Sequence, residues 1–344
     1  MVKRSILVIL ALCSALVGLA ACADSTGQST SSGASQSASS EQPARHGEEV
    51  TVGIFHLPGT LLVPEDGKPI AVLLLWGSGP QDRDESLPNS PNKPLRDLAE
   101  GLADRGIASL RFDKRTFAAP RKLDLSTLSL SDEYHDDAAA ALRLLRDRLP
   151  GYRLFVIGHS QGAMVLPDIL EANEFAAGGV SLAGTPRSLF DLILDQLHHQ
   201  LESQTGLSPE EQARRRVEGE ASIAEAKAVD ALSDVVPMPF RLSMSTRYVI
   251  DINRLDPAKT ATKLKVPLLF LQGDADQQVF ADTDYRLWQE KLAGQPNVEF
   301  ELFNGLNHCF YPTKGLDPFR DIQEPATIPP QVIERIAGWL VKQA

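Results

Sequence analysis

The chain has 344 residues, enough for one large domain or two ordinary ones. Hydrophobic residues make up 43% and charged residues 23%, so the chain can bury a sizeable core and is not disordered throughout. With 34 Lys plus Arg against 45 Asp plus Glu, the formal charge of -11 argues against a nucleic-acid partner, whose phosphates require a basic face.

The N-terminus reads Lys3-Arg4, an apolar stretch from Ile6 to Val17, then small residues, the charged, hydrophobic and cleavage-region order of an export signal. That run is too short for a membrane span. Its end, Leu19-Ala20-Ala21-Cys22, resembles the lipobox of bacterial lipoproteins, which implies a signal over residues 1–21 and lipidation at Cys22. Residues 23–48 hold eight Ser and two Thr and no Val, Ile, Leu or Phe, so nothing there offsets the entropy of ordering the chain. The expectation is a disordered tether over residues 22–48 on an exported chain, anchored to the bacterial membrane with the folded part outside the cytoplasm. Of three cysteines, Cys13 and Cys22 fall in this leader, so no disulfide framework is possible.

Folding starts near Glu49. Val50 to Val63 alternates around Leu57-Pro58-Gly59 and predicts an antiparallel hairpin with a Pro-Gly turn. Near-continuous apolar runs follow at Ala71–Trp76, Ile107–Phe112, Leu154–Ile157, Gly179–Ala183, Pro267–Leu271 and Val298–Phe303, as a parallel sheet buried on both faces requires. Helical spacing appears between them at Pro94–Arg105, Glu133–Arg148, Ala163–Ala172, Asp282–Leu292 and Pro330–Lys342. The alternation predicts a mostly parallel, doubly wound α/β sheet with an N-terminal antiparallel hairpin, one domain over residues 49–344. About 80 residues between Ala183 and Val266 interrupt the rhythm. There Thr185-Pro186 predicts a helix start, Phe190, Ile193, Leu197 and Leu201 form an apolar stripe, and Ser208-Pro209-Glu210-Glu211 reads as a capping box. Two or three amphipathic helices over residues 185–262 are expected to form a lid.

Gly158-His159-Ser160-Gln161-Gly162 is a G-x-S-x-G pentapeptide, weak alone but placed between an apolar strand and a helix, where a serine is lifted onto a strained elbow. At so sharp a turn a side chain at either glycine would collide with its surroundings. A serine hydroxyl needs a base, and the base an orienting acid. Asp276 and His308 each lie just past a strand's C-terminal end, where the site of an open α/β sheet forms. Asp274 is the alternative acid. The Asp274-x-Asp276 spacing fails as a calcium loop, because Val279 stands at the sixth position and Tyr285 at the twelfth. His159 belongs to the elbow and is expected to pack. An oxyanion needs two backbone N–H donors. Gln161 follows the nucleophile, and the loop Leu75-Trp76-Gly77-Ser78-Gly79-Pro80 should supply Ser78, with Gly79 as its substitute.

Over residues 49–344 the chain resembles the α/β-hydrolase fold family. Gly77 to Asp84, Arg111 to Thr116 and the GHSQG elbow resemble its bacterial serine aminopeptidase-like or dienelactone-hydrolase-like branch. The resemblance implies a carboxylesterase acting on a small-molecule ester, and that branch usually carries His where Trp76 stands. The runs Asp82-Arg83-Asp84-Glu85 and Asp113-Lys114-Arg115 are expected to staple neighbouring loops as weak surface pairs. Without GxxxxGK[ST], HExxH, CxxC or a G-x-G-x-x-G after a strand, no cofactor or metal is implied. Cys309 reads as a buried structural thiol. An aminopeptidase using Glu210, Glu211, Glu218 and Glu220, an acyltransferase on the same triad and a non-catalytic surface-binding lipoprotein are the rival readings. The sequence says nothing of oligomeric state.

Overall fold

The computed structural model describes residues 47–344 apart from residues 205 and 239. The expected signal, Cys22 and nearly all of the tether lie outside the described residues. Among the described residues no helix is long and apolar enough to cross a membrane.

Eight strands form one sheet in the order β1-β2-β4-β3-β5-β6-β7-β8. They are β1 (Glu48–Val52), β2 (Leu57–Leu62), β3 (Ile70–Leu75), β4 (Ala108–Phe112), β5 (Arg153–His159), β6 (Gly179–Leu182), β7 (Leu268–Gly273) and β8 (Val298–Phe303). β1 and β2 are antiparallel, β2 runs antiparallel to β4, and every other neighbouring pair is parallel. This is the mostly parallel, doubly wound α/β sheet with an N-terminal antiparallel hairpin that the pattern predicted. β3, β4 and β7 are buried along their whole length, which follows from helices covering both faces.

The hairpin turn differs from expectation. It lies at residues 53–56, where Gly53 and His56 take positive φ of 64° and 51°, and Pro58 and Gly59 sit inside β2. Pro58 precedes the first paired residue of the β2–β4 ladder, Gly59 opposite Phe112, so its missing N–H interrupts no pairing there.

The helices flanking the sheet are α1 (Pro94–Ala103), the short α2 (Arg115–Ala118), α3 (Asp137–Arg148) entered through one wide turn at Ser131–Asp136, and α4 (Gln161–Ala172). Between β6 and β7 come α5 (Leu189–Ser203), α6 (Pro209–Lys227), α7 (Thr246–Arg254) and α8 (Pro257–Lys263). After β7 come α9 (Arg286–Lys291), the short α10 (Pro318–Asp321) and α11 (Pro330–Gln343). Among the described residues the insertion thus carries four α-helices, and setting α8 aside leaves three, α5 to α7. α8 belongs to the sheet layer, since it packs against α4.

The start of α5 also differs. Its N-cap is Ser188, whose side chain accepts from Phe190 N, while the Thr185 hydroxyl accepts from Arg187 N at 3.1 Å and donates to Asp284 Oδ1 at 2.6 Å. The stripe Phe190, Ile193, Leu197 and Leu201 is buried as predicted. The Ser208 cap of α6 is present, accepting from Glu211 N at 3.2 Å.

Candidate active site

β3 pairs with β4 on one side and β5 on the other, so the chain reverses its direction of winding at β3. A crevice opens at such a switch point beyond the strand C-termini. The loop from Gly77 and the residue Ser160 occupy it.

Ser160 directly follows β5 and is the N-cap of α4, with φ 52° and ψ −114°, a conformation an L-residue adopts only when its surroundings impose it. The two elbow glycines are those surroundings. A Cβ on Gly158 would stand 2.4 Å from Gly162 O, and one on Gly162 would stand 2.5 Å from Trp76 O. α4 begins at Gln161 rather than near Ala163, so the Gln161 N–H is a free first-turn donor at the positive end of a helix.

Asp276 is the acid that meets His308. Its Oδ2 lies 2.8 Å from His308 Nδ1 and also accepts from Gln272 Nε2, while Oδ1 accepts from the N–H groups of Gln278 and Val279. Asp274, the alternative, instead accepts from Gly305 N at the foot of the β8 loop. No hydrogen bond joins the Ser160 hydroxyl to His308 among the described residues. In hydrolases such a bond is commonly long until a substrate closes it. His308 lies against the elbow segment, its ring 4.8 Å, centroid to centroid, from the ring of His159, the residue before Ser160.

A small cleft open to solvent holds Ser160, Gln161 and Ser78, with Met164, Leu189, Leu192, Gln196 and Val279 among the residues lining the rest. Leu189, Leu192 and Gln196 come from α5, so the first helix of the insertion forms the wall opposite the elbow.

The sequence missed how deeply charge is buried behind the cleft. Glu85, with positive φ of 55°, accepts from Gly77 N at 2.7 Å and meets Nδ1 of His159 at 2.9 Å. Nε2 of His159 must donate, since its partner at 2.9 Å is the carbonyl oxygen of His308. Burial alone would raise the Glu85 carboxyl and lower the His159 imidazole. Their mutual attraction outweighs it, holding the carboxyl below its ordinary value and the imidazole above. His159 therefore packs, as expected, but as half of a buried pair with Glu85 that ties the β3 loop to the backbone of His308. Because Glu85 occupies the Gly77 N–H, Ser78 carries the first uncommitted N–H of that loop.

The expected weak surface pairs need correcting in the same way. Arg83 pairs with Asp113 at 2.9 Å, Arg111 with Asp84 at 2.8 Å and Arg115 with Asp137 at 2.8 Å, and all but the first of these involve a buried arginine. Lys114 is fully buried, pairs with Glu133 at 3.3 Å, and has its ammonium group pushed down by burial, an effect Glu133 only partly opposes. The one legible signal was position, a charged triplet directly after an apolar strand. Trp76 fits without disturbing the loop, as its Nε1 donates to Phe112 O at 2.6 Å and its ring meets Phe112 and Tyr134 edge-on. Cys309 is buried, and burial drives its thiol well up, so no reactive thiolate forms. Two of the four acids proposed for an amino group are neutralised locally, Glu211 by Arg214 and Arg215 and Glu218 by Arg214, and Glu220 is engaged by His198 Nε2 at 2.8 Å.

Residues 93–312 match the family described as serine aminopeptidase, S33. The chain is 35% identical over 296 residues to Esterase EstD of Thermotoga maritima, covering 86% of this chain and 68% of that protein. Among solved structures it resembles an esterase of Pyrococcus furiosus, with TM-score 0.51, 18% identity and coverage of 86% of this chain and 90% of that one. It likewise resembles Est1E from Butyrivibrio proteoclasticus, with TM-score 0.52, 14% identity and coverage of 86% and 98%. At these identities the two structures speak for the fold alone.

Proposed function

The chain belongs to the serine aminopeptidase S33 family of α/β-hydrolases, and on that footing we propose that it hydrolyses carboxylic esters through Ser160, His308 and Asp276. The observation that carries the reading is the 2.8 Å contact of Asp276 with His308 beside a strained serine elbow that opens on the cleft. The 35%-identical relative bears the name esterase, which favours ester over amide substrates.

Asp276 holds His308 in the tautomer with the proton on Nδ1, leaving Nε2 as the base. His308 takes the Ser160 proton, Ser160 Oγ attacks the ester carbonyl, and the N–H groups of Ser78 and Gln161 receive the developing oxyanion. The imidazolium then protonates the departing alcohol. Water, activated by the same imidazole, releases the acid from the acyl-enzyme and restores Ser160. The helices of residues 189–254 act as a lid whose inner wall is α5.

Ser160→Ala tests the core of this reading with p-nitrophenyl esters, where turnover should fall by about 10⁴-fold or more while melting is unchanged. Retained turnover overturns it. A fluorophosphonate probe should add its mass at Ser160. The lipobox-like sequence also supports export and anchoring through Cys22. If that is right, Cys22→Ala moves the protein out of the membrane fraction of its bacterial host.

A further inference from the structure

The loop that follows β3 is held from behind by a cation. The ammonium of Lys114, two residues past β4, donates to Gly79 O at 2.9 Å, Tyr134 Oη at 2.8 Å and Gly77 O at 3.2 Å. Tyr134 in turn donates to the same Gly77 oxygen at 2.8 Å. Gly77 O is thus gripped by two donors, both fully buried. In a trans peptide the C=O and the next N–H point to opposite sides of the chain. Fixing Gly77 O therefore fixes the direction of the Ser78 N–H, and a cation on the carbonyl polarises that N–H further.

The web also reaches the other donor residue. Gln161 has its Oε1 3.2 Å from the Tyr134 hydroxyl and donates from Nε2 to Tyr248 Oη at 3.1 Å. Tyr248, on α7 of the insertion, donates to Glu133 Oε2 at 3.0 Å, and Glu133 is the counter-ion of Lys114. Fold stability alone is a poor reason for such an arrangement. A buried ion pair is often no better than well-packed apolar residues of the same volume. What an apolar replacement could not do is direct two bonds at the carbonyls of this one loop.

We propose that Lys114 and Tyr134 are positioning residues that hold and polarise the Gly77–Ser78 peptide from behind, aiming the Ser78 N–H at the oxyanion. The inference rests on the serine-hydrolase reading above and adds to it the origin of that donor's alignment.

The test pairs Lys114→Met with Glu133→Gln, so that no counter-ion is left buried alone, and sets the double variant beside Tyr134→Phe. With a short p-nitrophenyl ester, kcat should fall about 100-fold in the double variant and about tenfold in Tyr134→Phe, with KM within about threefold of the parent. An alkylboronic acid, which forms a tetrahedral adduct on the nucleophilic serine, should weaken by the same factors, a readout that mere loosening of the fold would not move in step. Folded variants with unchanged kcat and boronate affinity overturn the proposal, as does a loss confined to KM. If the double variant does not fold, Tyr134→Phe decides alone by the same two readouts. Ser160→Ala, assayed alongside, separates the two levels: turnover surviving there removes the serine-hydrolase reading itself, whereas a dead Ser160→Ala with an undiminished Tyr134→Phe removes only the positioning role.

Discussion

The two walls of the cleft are built on different principles. Behind the elbow, the ionisable side chains of Glu85, His159 and Lys114 are buried and bonded to backbone atoms of the β3 loop and of His308, with buried Glu133 paired to Lys114. Across from it, α5 presents Leu189 and Leu192 with Gln196, whose Nε2 donates to Gln278 O at 2.7 Å. Charge develops on the first side during acyl transfer, and pre-aligned dipoles there need no reorganisation as it does. The second side meets only the substrate's shape, which apolar packing reads loosely and which a few side-chain changes alter. Breaking each wall in turn should therefore give failures of different kinds.

After the nucleophile itself, the largest effect should come from the acid. Asp276→Asn leaves a group of the same shape that can still bond Nδ1, but with the wrong tautomer favoured at His308, and kcat should drop about 10³- to 10⁴-fold with little change in melting. Single-turnover acylation measures it directly, and a loss below tenfold would break the assignment.

Next comes the ion pair behind the loop, where the loss should appear first in stability. Glu85→Gln strands the His159 imidazolium without its counter-charge, and breaking a buried pair in this way costs about 3–5 kcal/mol. The sign with pH follows from the two shifts. The Glu85 contribution is present above the carboxyl's ordinary value of 4.5 and fades as pH falls through its depressed folded value. The His159 contribution is full below the imidazole's ordinary 6.5 and fades as pH rises through its elevated folded value. Denaturant midpoints of the variant and parent should hence differ most between those two ordinary values and converge toward alkaline pH. A gap independent of pH would mean the pair is neutral.

The same contrast explains what could be read in advance. Ser160 and Asp276 were legible because each follows a buried apolar strand. His308 follows β8, which is not the near-continuous apolar run expected but a half-exposed edge strand that alternates with Glu299 and Glu301, yet its end still reaches the same rim. The sheet was legible for a similar reason, through β-runs that only burial on both faces explains. The buried web was not. Its members lie at positions 85, 114, 133, 134, 159 and 248, with no shared period, and a run such as Asp113-Lys114-Arg115 looks like a solvated surface until tertiary contacts close over it. Local signals misled where two hydroxyls stood close together, as at the start of α5, where Thr185 accepts from Arg187 N and donates to Asp284 but Ser188 three residues on is the cap.

On the apolar wall the response should be one of selectivity. Leu192 is buried and lines the cleft, so Leu192→Ala lengthens the space beside Ser160. One pocket methylene is worth roughly 1–3 kcal/mol of discrimination. The ratio of kcat/KM for a longer to a shorter acyl ester should therefore rise about tenfold or more, while the rate of boronate adduct formation holds. An unchanged ratio would move the acyl group to the other side of the cleft.

The smallest effect lies on neither wall and serves as a control on reading buried charge. Asp97, in the first turn of α1, accepts from the Tyr311 hydroxyl at 3.0 Å, yet burial outweighs that bond and pushes its carboxyl up to about 6. Here the folded state disfavours the ion, the reverse of Glu85. No cost exists below the ordinary value of 3.8, where both states are protonated. As pH rises to about 6 the unfolded chain ionises first and stability falls, then levels off once the native carboxyl ionises too. Asp97→Asn keeps an acceptor for Tyr311 and removes the charge, so it should match the parent near pH 4 and exceed it at pH 7.5 by on the order of 1–2 kcal/mol, allowing for partial solvent screening. Melting curves that stay parallel across that interval would show that the carboxylate is solvated after all, whereas divergence with unaltered ester turnover would separate a charge that only destabilises the fold from those that shape the site.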